Sequence, residues 1–162
     1  MDIEEQYDKI YRYCYFKIFD KQLAQDITQE TFLRFYKQEL NLDDGKHLAY
    51  LYTIARNLCI DEFRKKTVDS LENFEEEAIY DPCEEWIDNL TLRSIIGKLP
   101  KEDQELIFLR YVNEMPITSI CSIMGISRFA IYRKLSKSLK WLKNELRKEG
   151  FSRCCLLYTS DA

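Results

Sequence analysis

The stretch ITSICSIMGISRFAIYRKLSKSLKWL, Ile117 to Leu142, decides the fold of the C-terminal half of the chain. Apolar residues recur at steps of three and four on both sides of MGIS, which predicts a short helix over 117–124 and a long helix over 128–148. Gly125 suits the turn between them, and Ser127 suits the N-cap of the second helix. The stretch therefore predicts a helix-turn-helix whose second helix carries most of the basic residues.

The segments just before this stretch are also predicted to be helical. One helix is expected over 86–97 and another from about Pro100 to Val112, with Glu102 and Asp103 near its start, where they complement the helix dipole. Together with the helix-turn-helix they form a four-helix module. Its core is predicted to contain Ile120, Ile123, Ile126, Ile131 and Leu135.

Three amphipathic helices are predicted in the N-terminal half, over 3–18, 21–40 and 47–66. The turn NLDDGK, with Gly45, separates the second helix from the third. No segment alternates with period two over a useful length, so strands are not expected. The apolar set of the second helix is Leu23, Ile27, Phe32, Leu33, Phe35 and Tyr36, and that of the third is Leu48, Leu51, Ile54, Ala55, Leu58 and Phe63.

Charge is segregated along the chain, although the net charge is only −4. The segment 67–90 holds nine carboxylates and no Lys or Arg, whereas 127–148 holds eight basic residues and one acid. The predicted fold is thus all-α, with two small helical domains at 1–66 and 91–150 joined by the acidic linker 67–90. Basic modules on either side of an acidic connector suggest separate contacts with nucleic acid.

Composition excludes several classes of protein. The acidic N-terminus does not resemble a secretory signal and no apolar run is long enough to insert in a membrane, so we expect a cytoplasmic protein. One histidine and six cysteines without a C-x-x-C pair predict no metal site, cofactor or disulfide framework, and the residues for a catalytic site are missing. Four cysteines are interpreted as small buried apolar residues: Cys14, Cys59, Cys83 and Cys121.

A helix-turn-helix with a basic second helix predicts DNA binding, because a helix in the major groove needs polar groups for base edges and basic groups for phosphates. The alternative is an antiparallel helix pair whose basic face is only solvated. The residues expected to contact DNA are Arg128, Phe129, Tyr132, Arg133, Lys137 and Lys140.

Three blocks together resemble the extracytoplasmic-function (ECF) group of the sigma-70 family. They are AQDITQETFLRFYK at 24–37, HLAYLYTIARNLCIDEFRKK at 47–66, and the segment 92–146, which contains the helix-turn-helix. The resemblance implies a region 2 domain that binds the polymerase clamp and opens the minus-ten element, and a region 4 domain that binds the minus-thirty-five element. It implies a non-enzymatic protein whose partners are core RNA polymerase (β′ clamp and β flap), promoter DNA and, in some members, an anti-sigma factor.

The resemblance also assigns roles to individual residues. Tyr50 stands where many relatives carry Trp, and Phe129 stands where relatives usually have a small residue. The two tyrosines of the third helix are open to two interpretations, stacking on unpaired bases or packing in the core. The polymerase-binding residues implied are Asp26, Gln29, Glu30 and Phe32, and the minus-ten-binding residues are Tyr50, Tyr52, Arg56, Asn57, Arg64 and Lys65.

Two further hypotheses concern the chain as a whole. A one-component helix-turn-helix regulator, with N-terminal helices that sense a ligand or dimerise, would share the C-terminal pattern and is the alternative to a sigma factor. The tail 151–162 contains CLLYTSDA, which matches the translation of a transposase adapter used in sequencing libraries. We therefore hypothesise that this tail is a sequencing artefact.

Overall fold

The computed structural model describes residues 2–69 and 90–150, and within these ranges the chain forms helices and no strand. The prediction of an all-α fold is confirmed. The acidic segment around Pro82, Cys83, the first residues of the helix predicted over 86–97, and the tail 151–162 lie outside the described residues. The helices are α1 (Ile3–Ile18), α2 (Lys21–Lys37), α3 (Asp44–Asp69), α4 (Leu90–Ile96), α5 (Lys101–Ile107), α6 (Ile117–Met124) and α7 (Arg128–Lys148).

A single aspartate caps the N-terminus of each of the first two helices. Asp2 accepts a hydrogen bond from the Glu4 backbone N–H at 3.0 Å, and Asp20 accepts one from the Leu23 N–H at 3.0 Å. Between them, Phe19 takes a left-handed φ of 62° and ends α1. The chain reverses there in two residues, so α1 and α2 pack side by side, and α3 lies against both.

The helix-turn-helix has the bounds that the sequence predicts. Gly125 adopts φ 67°, which glycine reaches without strain, and Ser127 Oγ accepts a hydrogen bond from the Ala130 N–H at 3.2 Å. Upstream, the helix expected to continue to Val112 changes at Phe108 into a π-helical turn, Phe108–Val112. There the Asn113 N–H bonds to the Phe108 carbonyl at 3.0 Å, so the turn is one residue wider than in an α-helix.

Most of the predicted core is buried, with specific exceptions. Ile120, Ile123, Ile131 and Leu135 are buried and Ile126 is half-buried. Three residues assigned to the apolar sets of α2 and α3 are in fact exposed, namely Leu33, Tyr36 and Phe63. Tyr36 and Phe63 lie at the edge of the apolar stripe of their helices, whereas Leu33 lies on the face of α2 opposite its buried residues, about 180° from Ala24. Of the cysteines, Cys14 and Cys59 are buried as predicted, whereas Cys121 is half-buried.

The two halves pack against each other in one continuous hydrophobic cluster. Helix α6 packs on α3, and α7 packs on α4, α5 and α6. The rings of Phe16 from α1 and Phe108 from the π-helical turn stack with centroids 4.4 Å apart. One face of α3 is therefore covered by the C-terminal half. Among the described helices, none combines the length and apolar composition that a membrane crossing requires.

Candidate nucleic-acid and polymerase interfaces

Helix α7 presents its predicted DNA-binding residues on one exposed face. Its opposite face is buried against the module through Ile131, Leu135, Ser138, Leu142 and Leu146. Because the buried positions recur at three- and four-residue steps, the positions between them point to solvent. All six residues of the predicted set are exposed: Arg128, Phe129, Tyr132, Arg133, Lys137 and Lys140.

Lys134 differs from the other basic residues near the start of α7. Its Nζ lies 2.9 Å from Glu102 Oε2 and 3.8 Å from Asp103 Oδ1, and the first of these contacts raises the pKa of Lys134. These acids lie in the first turn of α5. Lys134 therefore fixes α7 to α5, while the exposed bases remain available to an anionic partner.

A groove between α2 and α3 brings together two of the predicted interfaces. It encloses about 680 Å³ and is lined by Asp26 and Glu30 from α2 and by Arg64 and Lys65 from α3. Glu30 forms an ion pair with Arg34 at 2.7 Å. The predicted polymerase-binding carboxylates and two predicted minus-ten residues thus border the same groove.

The other two residues of the predicted polymerase set occupy different environments. Gln29 is exposed on α2, as a docking residue should be. Phe32 is buried, and its ring stacks on Tyr7 with centroids 5.6 Å apart. Phe32 therefore packs beneath α2 and helps to hold the helix in place.

The six predicted minus-ten residues divide between two faces of α3. At about 100° per residue, Tyr50, Asn57, Arg64 and Lys65 fall on one side of the helix. Tyr52 and Arg56 fall on the other side, which faces the C-terminal half. Tyr52 has no exposed surface, and the Arg56 side chain is 24% exposed. In this conformation Tyr52 packs in the core, which is the second of the two interpretations left open above.

An aromatic pocket lies where α2 turns into α3. It encloses about 310 Å³ and is lined by Phe35, Tyr36 and His47 together with Glu39, Leu40 and Asn41. The Tyr50 ring lies 6.1 Å from that of Phe35, and the Tyr50 hydroxyl donates a hydrogen bond to Gln38. Tyr50 is therefore a neighbour of this pocket, on the α3 face that remains open.

A buried carboxylate, Glu105 of α5, joins the two halves. It accepts hydrogen bonds from Tyr13 Oη at 2.6 Å, Lys17 Nζ at 2.8 Å and Arg56 Nε at 3.0 Å. Burial opposes its negative charge, but Lys17, followed by Tyr13 and Arg56, more than offsets this, and the pKa of Glu105 is lowered. Burial, reinforced by Glu105, raises the pKa of Tyr13. The carboxylate is thus held ionised.

A second polar contact crosses the same interface. Asn113 Nδ2 donates hydrogen bonds to the Tyr52 hydroxyl at 2.6 Å and to the Lys9 carbonyl at 3.2 Å. Sequence reasoning missed both Glu105 and Asn113. A signal for Glu105 exists in the sequence, because it precedes the apolar Phe108 and Leu109 by three and four residues and so lies on the apolar face of its helix.

Comparison with known proteins finds family models that match each half of the chain. The family model for Sigma-70 region 2 matches residues 3–68, and the model for Sigma-70, region 4 matches residues 89–142. The chain is 30% identical over 164 residues to the ECF RNA polymerase sigma factor SigW of Bacillus subtilis, covering 90% of this chain and 88% of SigW. This chain belongs to the ECF sigma factors. Sigma factors are non-enzymatic transcription initiation factors, as predicted for this chain.

Other relatives place this sigma factor in the same group. It is 30% identical to SigM of Bacillus subtilis, of which it covers 94%, and 30% identical to BldN of Streptomyces coelicolor, of which it spans only 60% of the length. A solved structure, the sigma factor RpoE in complex with the anti-sigma factor NepR from Bartonella quintana, superposes with a TM-score of 0.64 at 19% identity, covering 88% of this chain and 92% of that one. At this low identity, the similarity to the RpoE structure shows the fold alone.

Proposed function

We propose that this sigma factor binds core RNA polymerase and promoter DNA and directs initiation by contacting the minus-thirty-five element with α7 and the minus-ten element with α3. The observation that carries the proposal is the exposed face of α7, where a capped helix N-terminus, two aromatic rings and four basic side chains point away from the core. A helix of this kind reads base edges near its start and contacts phosphates along its flank.

The proposed polymerase contact is the α2–α3 groove. Asp26 and Gln29 are exposed and Glu30 is half-buried at its edge, so α2 offers a polar face to the basic side chains of a partner such as the β′ clamp. The C-terminal half would contact the β flap. We propose region 2 at 1–66, the acidic linker at 67–90 and region 4 at 91–150, in a cytoplasmic protein that works where the polymerase works.

We propose that the minus-ten contact begins on the open face of α3. Tyr50 and the aromatic pocket are accessible there, and a ring offers unpaired bases a stacking platform worth about 1–3 kcal/mol per base. Strand opening then needs no chemistry from the protein, because selective binding of an extruded base offsets the cost of unstacking it. Tyr52 and Arg56 would join this contact only once the C-terminal half has moved away.

The proposal has one alternative function and one additional candidate partner. A one-component regulator is disfavoured because both sigma-70 models match. In addition, this chain matches 94% of the length of the sigma factor SigM. An anti-sigma factor as an additional partner is consistent with the RpoE–NepR structure, in which the structural relative is bound to one.

Run-off transcription with purified core polymerase on a promoter library tests the proposal. Transcripts that initiate at defined promoters only when this chain is added would support it. No initiation with a matched core enzyme, or binding of the chain to DNA without any effect of the polymerase, would favour the regulator instead.

A charge-reversal pair tests the polymerase contact. Asp26→Lys with Glu30→Lys should abolish co-purification with core polymerase, because like charges would then meet a basic partner. The matched control is Glu5→Lys with Asp8→Lys on α1, which makes the same charge change on exposed residues paired with Lys9 and Arg12. Both variants should melt near the parent, and equal polymerase binding by both would contradict the assignment.

A further inference from the structure

The most exposed large apolar side chain among the described residues is Phe129, at 74%. It lies on the helix with the highest density of positive charge, and on the face that points away from the core. Burying a ring of this size stabilises a fold, so exposure here gives up stability that an inward position would provide. A ring at this position is placed for a partner outside the chain.

The position of Phe129 in its helix narrows the kind of partner. It is the second residue of α7, close behind the N-cap Ser127, and residues at this end of a recognition helix reach base edges. Arg133 lies one turn further along the same face, with its guanidinium carbon 5.9 Å from the centre of the Phe129 ring. At that distance the ring attracts the cation.

Each of these two side chains matches one feature of the major groove. The apolar feature there is the C5-methyl group of thymine, which an aromatic ring can contact, whereas a guanidinium fork matches the O6 and N7 acceptors of guanine. Side chains four residues apart on a helix are separated by about 5–6 Å at Cβ, and neighbouring bases by about 3.4 Å along a strand. The pair can therefore span adjacent base pairs.

We propose that Phe129 contacts a thymine methyl group in the minus-thirty-five element and holds Arg133 against the guanine of a neighbouring base pair. Phe129 is thus a specificity-determining residue in two ways, by its own contact and by positioning Arg133. The inference rests on the proposed function, since it concerns the promoter that the holoenzyme recognises.

The first experiment removes single methyl groups from the DNA. In the holoenzyme, each thymine of the minus-thirty-five element in the promoter selected by run-off transcription is replaced by deoxyuridine, and promoter binding is measured. One position should lose about fourfold in affinity, the value of one buried methyl group. Phe129→Ala should be insensitive to the methyl group at that position.

The second experiment separates the two roles of the ring. Replacing the neighbouring guanine by 7-deazaguanine removes one acceptor for Arg133. Phe129→Leu keeps an apolar side chain but has no ring to hold a cation, so it should retain sensitivity to the methyl group and lose most of the sensitivity to 7-deazaguanine. Lys140→Ala is the control, because a phosphate contact should weaken every promoter while leaving both sensitivities intact.

The outcomes distinguish this inference from the proposed function. Initiation without any sensitivity to thymine methyl groups, or sensitivity that persists in Phe129→Ala, overturns the inference alone. Failure of the chain to support initiation overturns the proposed function and this inference with it. Circular dichroism melting of each variant should match the parent, because Phe129 and Lys140 are exposed, and Phe129→Gln replaces Phe129→Ala if the alanine variant melts early.

Discussion

The two surfaces that we propose for promoter contact differ in whether their charges are already paired. On α7, Arg133 and Lys137 are exposed, and the buried side of the helix holds apolar residues and Ser138. On α3, Arg56 donates to Glu105 of the C-terminal half, and Tyr52 accepts from Asn113. The proposed surface on α7 is therefore fully exposed in this conformation, while half of the proposed surface on α3 is occupied by the chain itself.

The contact between the halves and the proposed minus-ten contact therefore compete for the same residues on the inner face of α3. Arg56 cannot donate the same N–H to Glu105 and to a phosphate, and Tyr52 cannot stack on a base while it is enclosed. We expect minus-ten contacts from this face to require separation of the halves, whereas the α7 contacts do not.

The largest effect is expected for Glu105→Ala. The variant leaves Lys17 and Arg56 without their carboxylate and should lower the free energy of unfolding by about 3 kcal/mol, near the low end for broken buried pairs because both bases keep some exposure to water. Urea unfolding measures this. The control is Glu102→Ala, on the same helix, which breaks a more exposed pair with Lys134 and should cost about 0–1 kcal/mol.

An equal loss in the two variants would contradict the contrast between buried and exposed carboxylates on α5. It would mean that Glu105 is solvated and that the halves are held by apolar contacts such as the Phe16–Phe108 stack.

Apolar periodicity and local capping explain why so much of this fold could be predicted. The helix-turn-helix depends on Gly125 and Ser127, whose roles are set by residues next to them in the chain. The π-helical turn at Phe108 depends on packing between distant segments, which spacing alone does not report. Leu33 is different, because helical spacing places it opposite Ala24 and Thr31, and its exposure follows from that position.

The candidate sites also differ in how far local sequence patterns predict them. The exposed face of α7 was predictable because burial of its other face follows from periodicity. The pairing of Arg56 with Glu105 joins residues 49 positions apart, and nothing near Arg56 in the sequence indicates it. A carboxylate at an apolar position of α5 was the available signal, and its partners could be identified only from the structure.

A comparison of substitutions along α7 is expected to give the next largest effect. Arg133→Ala should cost about 1–3 kcal/mol on the preferred minus-thirty-five element and much less on scrambled DNA, because a lost base contact removes discrimination. Lys140→Ala or Lys143→Ala should weaken both DNAs alike and lower the salt slope by about one per phosphate contact.

Filter binding of the holoenzyme across a series of salt concentrations measures both quantities. If Arg133→Ala weakens preferred and scrambled DNA equally, Arg133 contacts only phosphate, and the placement of α7 in the groove is wrong.

Acid should weaken the Glu105 contact. Because its pKa is lowered in the folded chain, ionised Glu105 contributes stability above the ordinary carboxyl pKa of about 4.5, and this contribution is lost as the pH falls through that value and below. The parent should therefore be more stable than Glu105→Gln at neutral pH, and the gap should narrow below about pH 4.5. Urea unfolding of both proteins from pH 7 to pH 3 measures the gap, and a gap that widens in acid would show that the assigned sign is wrong.

The smallest effect, and the sharpest test of competition on α3, is expected for Tyr52→Phe. Loss of the hydroxyl removes one acceptor from Asn113, which keeps its bond to the Lys9 carbonyl, so the interface should weaken by about 1 kcal/mol. The phenyl ring keeps its ability to stack on a base. If the closed interface and the DNA contact compete, free Tyr52→Phe should bind a single-stranded minus-ten oligonucleotide up to about fivefold more tightly than the parent, as measured by fluorescence anisotropy.

Tyr52→Ala also loosens the interface but lacks the ring, so it should bind more weakly than Tyr52→Phe. Equal binding by the two variants would show that the ring never stacks on a base. Weaker binding by Tyr52→Phe than by the parent would show that the hydroxyl itself contacts DNA. It would also show that the interface does not compete with the DNA.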